Sequence, residues 1–475
     1  MSQELIKPSD AKSWLSCIRR VWLENKLPPQ LIELSDFDQL VINLGIAHEK
    51  DTLAKLESNY RVEHAQSVTH TQLLMEQGVD VIYQAQLLNS SDGVIGYPDF
   101  LIRHDNGEYQ AADAKLSLSS EKKDIQIQLG LYRRLLGNAL PALVFLGDGS
   151  HGEVNDASNK PVKEFITEMH KLLANDREPT VRYSHSKCTS CPYYEHCWLV
   201  FTAKDDLSLL YGIQGRAADG LESVGIKTIT ELTKASADTL PDVPYLKGFE
   251  NKRRAILQAK SWKTGEVLQT GDISLPKGTW IHFDIEDNPL TSSGEKHVYL
   301  WGFLLPEYST KNFEYVWTDK ESDDKHGWLA VLNKIKEYQL SYPDLILAHY
   351  SSHERTTISK YAKRYAMEDN PIVQWLLGSD SPLFDMQKPV TNNLVLPLQG
   401  YGLKDICKHR ALVNFQWEDA DSGSQWSVVQ FNNFLNEKNI VAKDKLKTEI
   451  LGYNRDDVIA TRRLEEWLRT NYENR

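Results

Sequence analysis

Four short stretches carry side chains whose types and spacing suit chemistry: Tyr97-Pro98-Asp99, Asp113-Ala114-Lys115, Phe283-Asp284-Ile285-Glu286 and Tyr453-Asn454-Arg455-Asp456-Asp457. Grouped carboxylates hold hard divalent cations, and such a cation beside a phosphate is what phosphodiester hydrolysis requires. The first two stretches supply acid, acid and lysine within one short span. The last two bring acids from opposite ends of a second span. Two independent carboxylate sets therefore predict two hydrolytic sites in one polypeptide.

In the first set, Asp99 closes one strand and Asp113-x-Lys115 lies on the next. Residues two apart on a strand share a face, so Asp113 and Lys115 point into one cleft. Two carboxylates can hold Mg2+ or Mn2+ against a phosphate, while Lys115 stabilises developing charge or helps to deprotonate water. His48 falls on the inward stripe of a preceding helix and is a candidate third ligand. Gln128-x3-Tyr132 places an amide and a phenol on one helix face, suited to positioning substrate and lysine.

In the second set, Asp284 and Glu286 share one face of a strand while Phe283 and Ile285 face the sheet packing. Leu345–His349 then reads as a buried strand running through His353 into a helix with Glu354 near its start. Tyr453-x3-Asp457 stacks a phenol one turn before a carboxylate, and that four-residue step favours Asp457 over Asp456. Acids from three separated elements plus a tyrosine are what a two-metal in-line hydrolysis asks for. Asp385 is an accessory acid or a cap.

The elements that must position these groups follow from periodicity. Trp14, Ile18, Val21 and Trp22 mark a helical entry closed by Pro28-Pro29, and Phe37, Leu40, Val41, Leu44 and His48 form a second helical stripe. Strands are expected over 79–86, 94–103, 109–116 and 142–146, helices over 124–136 and 161–174, and a loop over 147–160. Residues 204–265 predict short helices around the glycine turns at Gly212, Gly215 and Gly225. A fresh α/β pattern follows. Its strands fall at 279–286, 297–305, 313–317 and 344–350, and its helices near 322–340, 352–366, 401–410, 424–437 and 442–470. At 475 residues the chain exceeds one hydrophobic core and predicts about three domains.

The net charge of −12 disfavours tight non-specific polyanion binding, although a basic track to the sites needs only local patches such as Lys404/Lys408/His409/Arg410. With no apolar leader and no uninterrupted apolar run long enough for a membrane span, a cytoplasmic protein with no membrane partner is expected. The five cysteines are then not structural disulfides. Cys188-x2-Cys191-x5-Cys197 is a metal or cluster spacing, and Cys407 reads as a buried thiol.

The ordered set His48, Asp99, Asp113-x-Lys115 and Gln128-x3-Tyr132, with Gly45 three residues before the histidine, resembles the PD-(D/E)xK nucleases of the RecB and AddB type. That resemblance includes iron-sulfur relatives involved in spacer acquisition. It implies a [4Fe-4S] cluster on Cys17, Cys188, Cys191 and Cys197 that clamps the ends of the domain, with structural Zn2+ as the rival occupant. Asp284, Glu286, Glu354, Tyr453 and Asp457 resemble the DEDD-type 3′–5′ exonucleases of the RNase H-like superfamily, in the tyrosine subgroup. The second motif departs from that pattern at His349…His353-Glu354. Residues 205–250 resemble helix-hairpin-helix modules, whose glycine turns present N–H groups to phosphate.

The expected fold is therefore α/β and multidomain. It has a restriction-endonuclease-like PD-(D/E)xK core over 1–203, a small helix-hairpin-helix linker over 204–268 and an RNase H-like mixed-sheet domain over 269–475. The implied activity is metal-dependent hydrolysis of single-stranded or frayed DNA at two sites, and DNA repair, phage defence and spacer processing are all compatible with it. The alternatives are one catalytic head beside a head that only binds, and an RNA-directed exonuclease. No phosphate-loop motif for ATP occurs, so any unwinding needs a separate helicase partner.

Overall fold

The computed structural model describes residues 5–26, 34–291, 293–306, 312–418 and 423–473; Pro28-Pro29 lie outside the described residues. It is an α/β protein with two mixed sheets and divides into two compact units. One comprises Met1–Val181 and Ser292–Gly294, the other Arg182–Thr291 and Glu295–Arg475.

The sheet of the first unit runs in chain order: β1 Val62–His64, β2 Val81–Tyr83, β3 Phe100–Arg103, β4 Tyr109–Lys115, β5 Ala142–Leu146 and β6 His151–Val154. The β1/β2 and β4/β5 pairs are parallel and the others antiparallel. Strand β4 alternates as its sequence requires. Tyr109 and Ala111 pack with Ile125, Leu129 and Tyr132 of the helix Lys123–Leu136, while Ala112 and Ala114 pack on the opposite face with Phe100 and Phe145. The helix Asp36–Glu57 supplies Leu53 and Leu56 to that opposite face.

Two expected strands prove shorter. The 79–86 run ends at Tyr83 because Gln84 adopts φ 54°, a region that breaks extended pairing. The 94–103 run splits into Val94–Gly96 and β3 around Pro98, which lacks the N–H a ladder needs. Conversely, the 147–160 loop contains β6. Gly149 at φ +84° follows Asp148, and Leu146 N donates to Ser150 O at 2.8 Å, closing a hairpin.

The second unit holds a five-stranded sheet of β7 Thr279–Asn288, β8 His297–Leu304, β9 Phe313–Trp317, β10 Leu345–His349 and β11 Leu383–Asp385, in spatial order β9-β8-β7-β10-β11. The β7/β8 and β8/β9 pairs are antiparallel, and β7/β10 and β10/β11 parallel. One face packs Phe283, Ile285, Trp301 and Leu347 on Trp328 and Tyr361 of the helices Asp324–Ser341 and His353–Arg364. The other face packs Trp280, Ile346 and Ala348 with Tyr453, Ala460 and Leu464 of the 33-residue helix Ile440–Tyr472. Burial on both faces explains why β10 reads as an unbroken apolar run.

Between Arg182 and β7 the chain forms short helices at Arg216–Ser223 and Ile229–Leu232 and a longer one at Phe249–Thr264. Gly212, Gly215 and Gly225 all take positive φ, as turn positions there require. Among the described residues no helix is long and apolar enough to cross a membrane.

Candidate carboxylate centres

The site in the first unit is assembled from β4, the segment before β3 and the helix Lys123–Leu136. Lys115 Nζ lies 2.9 Å from Asp113 Oδ2, and Gln128 Nε2 donates to that same oxygen at 2.9 Å. The Asp99 N–H donates to Asp113 Oδ1 at 3.0 Å, and the Ala114 N–H to Asp99 Oδ2 at 2.8 Å. Each acid is thus pinned by the backbone next to the other. Tyr132 receives the Gln128 amide at 3.0 Å and donates to Tyr97 O at 3.1 Å, tying the helix to the turn that carries Asp99.

Electrostatics there are strained. Burial, then the Asp113 charge, pushes Asp99 up to about 8. Burial also raises Asp113, against the pull of Lys115. For Lys115 burial opposes the charged form, but Asp113 and Asp99 outweigh it and its pKa rises. Lys115 therefore stays an ammonium.

His48 does not join this group. Its stripe faces inward as expected, but its Nε2 meets Phe145 O at 3.0 Å. The physical reason is the face: its helix packs against the Ala112/Ala114/Phe145 side of the sheet, opposite Asp113 and Lys115. The neighbouring Glu49 comes nearer in effect. It contributes repulsion to both Asp99 and Asp113 and receives Tyr83 Oη at 2.7 Å. Glu49 is one position beyond the histidine, a signal that the periodic reading passed over.

The second centre is denser in acid. Asp284, Glu286 and Asp457 offer carboxylate oxygens within 4.8 Å of one another, the one such three-ligand group found among the described residues. Asp284 pairs in register with Gly302 of β8, and the ladder shifts after Glu286 in a bulge before Asp287. Gly302 matters because a Cβ there would stand 1.8 Å from Asn454 Oδ1. Only a glycine lets the long helix come this close. Asn454 then donates from Nδ2 to Asp284 Oδ2 at 2.8 Å and reaches Glu286 Oε1 at 3.5 Å.

Asp457 is held by Trp417 Nε1–H at 2.7 Å and by the Tyr453 hydroxyl. Asp456 turns elsewhere, accepting from the Glu418 N–H at 2.8 Å. Burial and then mutual repulsion raise Asp284 far above the carboxylate range and bring Glu286 to about 8. Asp457 is raised by burial despite Lys404, Tyr453 and Trp417. Lys404, 4.5 Å from the Tyr453 ring centroid, is lowered by burial although Asp457 pulls it up. Buried acids that repel each other this strongly fit a divalent cation.

Glu354 is buried and adds to the repulsion on Asp284, yet it lies outside the three-acid group. Its Oε2 meets His349 Nδ1 at 3.0 Å, and His353 pairs instead with Asp287 at 3.0 Å. Asp385 is a cap, accepting from the Ser351 and Gln387 N–H groups at 2.9 and 3.0 Å. Sequence reasoning missed Asn454 and Trp417. Asn454 sits one turn before Asp457 on the same buried helix face, a spacing that would have revealed it.

The cysteines divide between the units. Cys17 ends the helix Asp10–Ser16, while Cys188, Cys191 and Cys197 lie on and between the helices His185–Cys188 and Tyr194–Ala203. The Cys191 N–H donates to Cys188 O at 3.0 Å, closing a tight turn between the two cysteines. None is disulfide-bonded, and Cys407 is buried.

No protein of curated function matches the chain. A solved structure titled "Crystal structure of SSO0001" is similar at 18% identity over 42% of this chain and 87% of its own, with a TM-score of 0.25. Residues 281–469 match the family model described as "RNase_H superfamily", and they contain Asp284, Glu286 and Asp457. The C-terminal part of the chain is accordingly an RNase H-like domain.

Proposed function

We propose that the chain is a metal-dependent nuclease that hydrolyses phosphodiester bonds of single-stranded or frayed DNA. The observation that carries this reading is the convergence of Asp284, Glu286 and Asp457 within an RNase H-like domain. These three carboxylates would hold Mg2+ or Mn2+, with Glu354 behind Asp284. A bound cation supplies charge neutralisation of the phosphate and a more acidic attacking water. The chain's own groups do the rest. Asn454 fixes the orientation of Asp284 and Glu286, and Trp417 fixes Asp457. The Tyr453 hydroxyl, hydrogen-bonded to Asp457, orients water for in-line attack, and Lys404 offers charge to the phosphate backbone.

The Asp99/Asp113/Lys115 group supports a second nuclease site of the PD-(D/E)xK kind. Asp99 and Asp113 would hold a cation, and Lys115 would stabilise the charge that develops on the cleaved phosphate. Gln128 and Tyr132 position Asp113 and the Asp99 turn. In this reading Cys17, Cys188, Cys191 and Cys197 bind a [4Fe-4S] cluster, or Zn2+ in its place. The middle segment contributes phosphate contacts of the helix-hairpin-helix kind, and a separate helicase supplies any unwinding. The His349–Glu354 pairing favours one alternative, a C-terminal head that binds without cutting.

Mn2+-dependent degradation of end-labelled oligonucleotides by Asp113→Ala, Asp284→Ala and the double variant tests both sites. Loss confined to the double variant supports two live heads, and loss with one single variant assigns the activity to that head. Activity surviving in the double variant removes both assignments. Parallel DNA and RNA substrates separate the two substrate classes, and the visible spectrum of anaerobically purified protein separates iron-sulfur from zinc.

A further inference from the structure

A concavity of the second unit, ≈510 Å³ in volume, has none of the three carboxylates in its lining. One wall is a flat aromatic pair. Tyr211 lies on Tyr401 with ring centroids 4.0 Å apart and planes 11° from parallel. Tyr401 cannot swing, since its hydroxyl donates to Gln258 Oε1 at 3.0 Å and accepts from the Leu396 N–H at 2.6 Å. Tyr401 is buried and Tyr211 is the partly exposed member of the stack. At the rim Tyr245 is 71% exposed at φ +65°, in a turn closed by Leu246 N–H to Val243 O. A bulky side chain held in that region is strained, and such strain gathers at ligand clamps.

The polar groups of the cavity say what kind of ligand suits it. Gln214, Gln387 and Gln399 contribute amides, Ser186 a hydroxyl and Asp405 a carboxylate that lies 3.5 Å from the His185 ring, while the lining contains no lysine or arginine. That set suits a flat heterocycle edged with donors and acceptors and is poor for a phosphate. Gln399 accepts from Tyr183 Oη at 3.1 Å, but its Nε2 is buried with no partner among the described residues. A buried donor without an acceptor is costly, and an acceptor on a ligand would satisfy it. The helix Leu403–Cys407 connects this cavity to the carboxylates: Asp405 lines the cavity, and the preceding Lys404 interacts with Asp457 and the Tyr453 ring.

We propose that this cavity takes up one unstacked nucleobase of a single-stranded polynucleotide, whose backbone continues past Lys404 toward Asp284, Glu286 and Asp457. The base stacks on Tyr211, and Gln399 donates to an acceptor on its edge. The inference rests on the nuclease reading of those carboxylates for the direction of the strand, but not for the chemistry of the cavity.

The test is equilibrium binding of labelled single-stranded oligonucleotides to the full chain in EDTA, with one abasic nucleotide moved along the strand. One position is expected to weaken binding about 5- to 150-fold, the scale of losing one base–aromatic stack. Tyr211→Ala should weaken the intact strand by a similar factor and abolish the position dependence. Gln399→Leu, which leaves the aromatic stack intact, should reduce it, and this variant carries the test if Tyr211→Ala does not fold. Absence of position dependence in the wild type, or its persistence unchanged in both variants, overturns the proposal. Saturable binding of free AMP that Gln399→Leu removes, without position dependence in the strand, assigns the cavity to a mononucleotide and overturns it too. Position dependence retained in Asp284→Ala, together with cleavage untouched by that substitution, supports the base cavity while discarding the catalytic reading of the carboxylates.

Discussion

Asp99 and Asp113 share their site with Lys115, whose Nζ is 2.9 Å from Asp113 Oδ2, and each acid also accepts a backbone N–H. Asp284, Glu286 and Asp457 crowd within 4.8 Å of one another, while the ammonium beside them, Lys404, is itself weakened by burial. The first site thus carries much of its own neutralising charge, and the second depends far more on a charge from outside. Burying like charges together is tolerable only when a counter-charge arrives. Two carboxylate sites in one chain can therefore differ in how much stability a cation contributes.

Metal binding should separate the two sites most widely. Asp284→Asn should weaken Mn2+ binding by more than the ~10- to 100-fold cost of losing an outer hydrogen bond, whereas Asp113→Asn should leave the tightest isotherm intact. Calorimetric titration of EDTA-stripped protein reads both, and a larger loss from Asp113→Asn would invert the comparison. Next in size, Asn454→Ala frees Asp284 and Glu286 to turn, and should cost about 10- to 100-fold in Mn2+ affinity or turnover. Gln128→Ala, which removes a contact to an acid still held by Lys115 and the Asp99 N–H, should cost less.

How far these sites are legible in the sequence follows from the range of the interactions involved. The Asp113/Lys115 and Asp284/Glu286 pairs depend on strand alternation, and Tyr453/Asp457 on one helix turn, so their faces were legible from spacing. Strands β5 and β9 and the helix Lys123–Leu136 fell within a residue of expectation because their apolar periods were unbroken. The fate of His48 was not legible, because it depends on which sheet face its helix covers. Glu354 is the same kind of case: its position on a helix start was readable, but its capture by His349 is a tertiary contact. The helix Pro371–Leu377 and strand β11 were missed as short elements between longer ones.

Both sites also rely on a glycine that admits a helix, and the two glycines differ in what surrounds them. A Cβ at Gly302 would meet Asn454 Oδ1 at 1.8 Å, on a fully buried side chain, and the Phe313 ring at 2.8 Å. A Cβ at Gly96 would meet Leu135 Cδ1 at 2.5 Å, the far end of a flexible side chain, with Tyr132 at 3.0 Å. Gly302→Ala should therefore destabilise by about 1–3 kcal/mol, and Gly96→Ala by less, in urea melts of the two variants. Equal costs would mean that the long helix is free to retreat from β8.

Stability should also depend on pH, and the sign follows from the raised carboxylates. Glu286 moves from an ordinary 4.5 to about 8, and Asp99 from 3.8 to about 8, both chiefly through burial. Across that interval the metal-free native state binds more protons than the unfolded chain, so unfolding free energy falls as pH rises. The contribution is fully present below the ordinary carboxylate values and is lost on passing through about 8. Urea melts of EDTA-treated protein should show stability declining from pH 5 to pH 8, with the decline shallower in Glu286→Gln and in Asp99→Asn. Mn2+ added at the alkaline end should recover more stability in Asp99→Asn than in Glu286→Gln, because the second site leans harder on an external cation. Stability that rises across this range would show that these acids are ionised in the native fold, and the contrast between the two sites would lose its electrostatic basis.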